Sequence, residues 1–201
     1  MNYPKILYFT CLLSSLILFG CNNSTSDKSK NVSDSDEKIA EEIGKAVLHT
    51  SLTDVSPISV EELEAWLPKT LGGMTLTSSA PGSMSRSGIS GIAATYGNPY
   101  EKSVKLLLTD CAGELAGAMG LAGSFRQLMN KNLDRDTEMG YEKTVTNKGV
   151  KVIESYNSDT DSYQFTNFYG DRFSIDLSST RISHEEAWEA FHSLPLDKLL
   201  N

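Results

Sequence analysis

Apolar positions recur along this chain in three rhythms, and each rhythm predicts a different kind of element. Ile6 to Phe19 is a mostly apolar run of about 14 residues, preceded by Lys5 and followed by Gly20-Cys21. Asn22 to Asp36 then holds Ser, Asn, Asp, Lys and Thr with one aliphatic residue, Val32. That stretch cannot bury enough apolar area to offset its ordering entropy, so it reads as a flexible tether. From Asp36 to His49 the period becomes helical, with Ile39, Ile43, Ala46 and Val47 on one face and Gly44 weakening it. Thr50 to Ile58 is a connector. Ser59-Val60-Glu61-Glu62 is a capping box that opens a second helix, which buries Val60, Leu63, Trp66 and Leu67 and stops at Pro68.

Past the turn Leu71-Gly72-Gly73 the pattern alternates, predicting strands at Met74–Ser78, Ile89–Tyr96 and Ser103–Thr109. The loop Ser79–Gly88, rich in Ser and Gly, reads as long and mobile. Val104, Leu106, Leu107 and Leu108 make the third strand apolar on both faces, which marks it as central and covered. The period returns to helical over Gly113–Asn130, with Leu115, Ala118, Met119, Ala122, Phe125 and Met129 as the stripe. Gly113, Gly117, Gly120 and Gly123 run through it, each internal glycine costing about 1 kcal/mol against alanine. Close approach to the sheet would account for them.

Lys131–Gly140 reads as a polar link to four more strands, Tyr141–Thr146, Val150–Tyr156, Ser162–Phe168 and Arg172–Ser178, with turns short enough for hairpins. A second capping box, Ser183-His184-Glu185-Glu186, opens a last helix that buries Ala187, Ala190, Phe191 and Leu194. It ends at Pro195, before a terminal turn through Leu196, Leu199 and Leu200. Hairpins separated by helices predict an α+β fold. An antiparallel sheet of about seven strands would pack with helices as a sandwich, in the order α-α-β3-α-β4-α. The expected organisation is a leader at 1–20, a tether at 21–36 and one domain at 37–201.

The leader has the layout of a secretory signal peptide: a positive charge, an apolar run too short for the ~20 residues of a membrane span, a small residue and a cysteine. Leu18-Phe19-Gly20-Cys21 resembles the lipobox of bacterial lipoproteins, with Phe19 standing where small or β-branched residues are usual. The resemblance implies that Cys21 is acylated and becomes the mature N-terminus. Each buried acyl methylene adds about 0.8 kcal/mol, so several chains on one cysteine would hold the protein in a bilayer. Asn22, where an aspartate commonly retains such proteins in the inner membrane, favours the outer membrane and its periplasmic face.

Loss of residues 1–20 removes Lys5 and no acid, leaving 17 basic against 26 acidic residues, a net charge of −9. There is no basic stripe to displace phosphate counterions, which argues against nucleic acid as a partner. Cys11 leaves with the leader and Cys21 takes lipid, so Cys111 has no partner for a disulfide within the chain.

Few residues suggest chemistry. Cys111 follows Asp110 where a strand enters a helix, a position that can activate a thiol, although lone cysteines are usually small buried apolar residues. His184 and His192 lie eight residues apart on one helix, not at the i, i+4 spacing of zinc pairs, and His49 is distant. Asn157-x-Asp159-x-Asp161 and Asp134-x-Asp136-x-Glu138 resemble half a calcium loop. In the first, Ser162 and Phe168 stand where the turn glycine and closing glutamate belong, and turn chemistry explains the pattern as well. The Gly113–Gly123 spacing fits neither dinucleotide nor P-loop fingerprints, and Ser35-x-x-Lys38 sits at the tether's edge. No metal, cofactor or catalytic constellation is expected.

The order of elements resembles PsbP-like sandwiches of photosynthetic and envelope proteins. It also resembles uncharacterised bacterial proteins that share the Leu67-Pro68…Leu71-Gly72-Gly73 entry. The reading that follows is a non-enzymatic lipoprotein, anchored to the bilayer through Cys21, that binds an envelope protein or a small apolar ligand. Its expected surface is the Ser79–Gly88 loop and the neighbouring sheet face with Tyr163 and Phe165. The rivals are an enzyme using Cys111 or an acidic cleft, and a structural factor of a membrane complex.

Overall fold

The computed structural model describes residues 52–200. The leader, Cys21, the tether, the helix expected at Asp36–His49, His49 and Ser35/Lys38 lie outside the described residues.

The fold is α+β, built on an antiparallel sheet of nine strands in the order β1-β2-β3-β4-β9-β8-β7-β6-β5. The strands are β1 (Thr70–Leu71), β2 (Met74–Pro81), β3 (Gly91–Gly97), β4 (Ser103–Asp110), β5 (Asp134–Thr137), β6 (Gly140–Asn147), β7 (Val150–Asn157), β8 (Ser162–Tyr169) and β9 (Phe173–Thr180). Four helices accompany them among the described residues: α1 (Val60–Trp66), α2 (Glu114–Ala118), α3 (Leu121–Met129) and α4 (His184–His192). Two meanders, β1 to β4 and β5 to β9, join where β4 pairs with β9.

The expectation of about seven strands is corrected to nine, and the helix order changes with it. Thr70–Leu71 pairs with β2 around the Gly72-Gly73 turn, so the sheet begins before the turn that was expected to lead into it. Asp134–Thr137 pairs with β6 through a tight turn at Gly140. Its four residues are all exposed, which erases the apolar alternation that strand recognition depends on. The segment expected as one helix over Gly113–Asn130 is two, because Gly120 takes the left-handed φ of +64° and breaks the ladder.

Gly113 and Gly117 approach the incoming segment, not the sheet, and a Cβ on Gly120 or Gly123 would meet nothing within 4 Å. A Cβ on Gly117 would overlap Thr53 of the incoming 3-10 turn Leu52–Asp54, whose Leu52 carbonyl accepts from Gly113 N at 2.8 Å. The stripe is corrected as well: Leu115 and Met119 are 41% and 54% exposed, and the buried residue of α2 is Ala116.

Alternation along the strands builds the core on one sheet face. Ile92, Ala94 and Tyr96 of β3, Val104, Leu106 and Leu108 of β4, and Phe173, Ile175 and Leu177 of β9 are buried there with Leu63 of α1 and Ala187, Ala190 and Phe191 of α4. Both capping boxes form, Ser59 with Glu62 and Ser183 with Glu186, and each satisfies amides at its helix start. β4 is central, flanked by β3 and β9. Its second face is only partly covered, with Leu107 half-buried and Lys105 exposed. On that opposite face Phe125 of α3 stacks on Phe168 of β8 at 5.7 Å.

The buried Asp110, at the end of β4, accepts from Arg172 Nε and an Arg172 terminal nitrogen at 2.8 and 2.6 Å and from the amides of Ile58 and Ala112 at 2.9 and 3.0 Å. That cluster fastens the segment before α1 to the sheet.

Candidate functional site

α4 lies over β7 and β8 on the core-bearing face, and polar side chains meet beneath it. Period-two alternation puts Val152, Glu154 and Tyr156 of β7 on one face. Glu154 is therefore an acid at an inward position, 3% exposed. Register places Lys143 beside it on β6 and Phe165 on β8, while Tyr141, Tyr156 and Tyr163 form the next cross-strand row. The Ser183 capping box sets the start of α4, so that His184 and Trp188, one turn apart, both reach Glu154.

Glu154 carries three contacts. Tyr141 OH donates to Oε1 at 2.5 Å, Trp188 Nε1 donates to Oε2 at 2.9 Å, and His184 Nε2 lies 2.9 Å from Oε1. Burial, then the hydrogen bond to Glu154 and its charge, push the Tyr141 phenol well above its ordinary range, so it stays a donor. The Tyr163 hydroxyl is also raised, first by burial.

The tyrosine rows form an aromatic ladder. Tyr156 and Tyr163 have ring centroids 4.7 Å apart, and Tyr141 and Tyr156 are 6.0 Å apart. Both pairs are tilted, at interplanar angles of 32° and 35°. Lys143 lies 5.3 Å from the Tyr141 ring centre and His184 5.2 Å from that of Tyr163.

Beside the ladder a groove of about 730 Å³ runs between α4 and the β6–β7 turn, lined by His184, Trp188, His192, Asn147 and Lys148 among others. The His192 ring stacks on Trp188 at 5.3 Å and its Nε2 lies 3.2 Å from Asn147 Oδ1. Burial, and then Lys148, hold the His192 imidazole below its ordinary pKa, which favours the neutral ring. The groove thus offers two imidazoles, an amide, an ammonium, a hydroxyl and the carboxylates of Glu185 and Glu189 around an indole backed by the buried Glu154.

The residues singled out in the sequence fall unevenly around this site. His184 and His192 share the groove, joined through the Trp188 ring. Cys111 is fully buried, its amide bound to the Arg172 carbonyl at 3.0 Å, and burial pushes its thiol up to about 11. Asn157 Oδ1 accepts from the amides of Asp159 and Thr160 within the β7–β8 turn, which is turn chemistry. Asp134 and Asp136 face Lys143 at 3.7 and 3.1 Å. Among the described residues no group of three or more His, Cys, Asp or Glu is placed to hold a metal ion.

The loop expected at Ser79–Gly88 is corrected to a shorter one. Ser79–Pro81 belongs to β2 and pairs with β3, and the loop beyond is closed by a 3-10 turn at Ser85–Ser87 with a hydrogen bond from Gly82 N to Gly91 O at 2.9 Å. Phe165 is fully buried, 4.5 Å from Trp188 in the core, and Tyr163 is locked into the ladder. Sequence reading passed over Glu154 and Trp188. The signal for Glu154 was there: a lone acid in phase with Val150 and Val152. No family model, characterised protein or solved structure matches the chain.

Proposed function

We propose that this chain is a non-enzymatic, acyl-anchored module of a bacterial cell envelope that binds a small ligand or partner in the groove beside α4. The anchor is the lipobox-like Leu18-Phe19-Gly20-Cys21, with Cys21 carrying the lipid and the outer membrane's periplasmic face as its station. The observation that carries the binding role is Glu154: a nearly inaccessible carboxylate holds His184 and Trp188, two side chains that line the groove, and takes a third hydrogen bond from Tyr141 beside it. Burying a charge costs stability unless it is fully partnered, and a purely structural need at this position would be met by an apolar residue. The groove's volume of about 730 Å³ falls within the range of small-molecule sites.

Photocrosslinking in intact cells tests the reading. A benzophenone amino acid at Lys148, in the groove, is expected to capture a discrete adduct, while the same group at the exposed Lys105 of β4 captures none. Equal labelling from both positions, or from neither, removes the groove as the binding surface.

A further inference from the structure

We propose that the sheet face bearing Tyr141 and Tyr156 docks a lysine- and arginine-rich segment of a partner protein. This face lies apart from the groove: Tyr141 and Tyr156 stand at the ends of β6 and β7 away from the turn that carries Asn147 and Lys148.

Register assembles the face. Period-two alternation sets Asp134 and Asp136 of β5, Tyr141 and Lys143 of β6, and Glu154 and Tyr156 of β7 on one side. α4 comes as far as Tyr163 and Glu154 through His184. Beyond it Tyr141 and Tyr156 are partly exposed, and among the described residues the rings that touch them are those of the row itself.

Charge chooses the partner. The Asp134 and Asp136 side chains are 84% and 78% exposed at one border of the row. At the other border Asp161 accepts from Tyr156 OH at 3.3 Å. Burial first, then Tyr156 and the charges of Asp161, Glu154 and Glu185, raise the Tyr163 hydroxyl, so all three carboxylates lie within electrostatic reach of the row. Lys143 is the one cation that the register of β5, β6 and β7 puts on this side. It shows how a cation is held there, its ammonium 5.3 Å from the Tyr141 ring centre and 3.1 Å from Asp136. Ring and carboxylate act together on such a group, and the ring also covers the apolar stem. Tyr156 and Asp161 offer the same two groups, with no cation over the ring among the described residues. From β5 to β8 the row crosses three strand spacings, about 14 Å, and an extended peptide sets alternate side chains about 7 Å apart, so two or three basic side chains match it.

The test is nuclear magnetic resonance on the ¹⁵N-labelled full chain in a non-ionic detergent, titrated with pentalysine. The amides of Tyr141, Tyr156 and Asp161 are expected to shift most, and the dissociation constant to rise several-fold between about 50 and about 300 mM salt as exposed charges are screened. Asp136→Asn and Tyr156→Leu should each weaken binding about threefold, the worth of one exposed charge or ring contact. Glu61→Gln, which removes the same charge from the exposed side of α1, should leave it unchanged. No shift, shifts spread evenly over the acidic surface, an equal loss from Glu61→Gln, or unaltered binding in either face variant overturns the proposal. So does a shift of the same amides with chain concentration alone, which gives the face to a second copy. Crosslinking from Lys148 reads the groove, so the two surfaces fail separately.

Discussion

Truncating Asp110 should destabilise the fold more than any surface change, and the structure gives the size. The carboxylate is 0% exposed and takes four hydrogen bonds, two from Arg172 and one each from the amides of Ile58 and Ala112. Asp110→Ala strands a guanidinium whose side chain is 19% exposed, together with two backbone donors. Removing one partner of a buried ion pair costs about 3–5 kcal/mol, because the other charge is left uncompensated. For a chain of this length each kcal/mol lowers Tm by about 2–4 °C, so a fall of roughly 6–20 °C is expected. Part of that loss should be recovered in Asp110→Ala with Arg172→Met, since the double variant leaves no buried cation, although the amides of Ile58 and Ala112 still lack an acceptor. The assay is urea unfolding of the wild type, both single variants and the double variant, read as a double-mutant cycle. A loss under about 1 kcal/mol for Asp110→Ala, or strictly additive single variants, would refute the reasoning.

Three further outcomes follow from groups already placed. Cys111, buried with its thiol raised to about 11, should resist iodoacetamide in the native protein and react stoichiometrically in urea, read by mass spectrometry. His192 resists protonation in the fold because of burial and Lys148. The unfolded chain therefore binds more protons near and below the ordinary value of 6.5, so stability falls as pH drops through that value; His192→Phe should flatten the slope of the urea midpoint between about pH 8 and about pH 5. Tyr96 is 0% exposed and its hydroxyl has no partner among the described residues, so Tyr96→Phe should hold or raise Tm, by up to the equivalent of about 1 kcal/mol, in a thermal melt.

The parts of the fold legible in the sequence are those where a single local rule decides. Ser59-Glu62 and Ser183-Glu186 are complete capping boxes within four residues, and both helices start where the boxes place them. The strand from Ser103 announces its central place by an apolar run. β5 was hidden because an exposed edge strand has no apolar period, and β1 because two residues are too few to show one. The helix from Gly113 was misread because periodicity does not report backbone breaks. The stripe through Leu115 and Met119 is in phase, but Gly120 turns the chain between α2 and α3.

The candidate site was half-visible. His184 and His192 stood out as rare residue types on one helix, yet what joins them is the ring of Trp188, and what orients His184 comes from β7, some 30 residues earlier in the chain. Such a pairing depends on β7 lying beside β8 and under α4, which is a tertiary fact. The loop at Ser79–Gly88 erred the other way: Ser, Gly and Pro mark turns, but here part of the segment completes a strand.

The mass of the N-terminal peptide of the native protein, purified from membranes, decides whether Cys21 anchors the chain. The expected chain begins at Cys21, carries fatty acyl groups on it, and moves to the soluble fraction in Cys21→Ala. A peptide that retains residues 1–20, or a Cys21 free of fatty acid in the native protein, would contradict that anchorage.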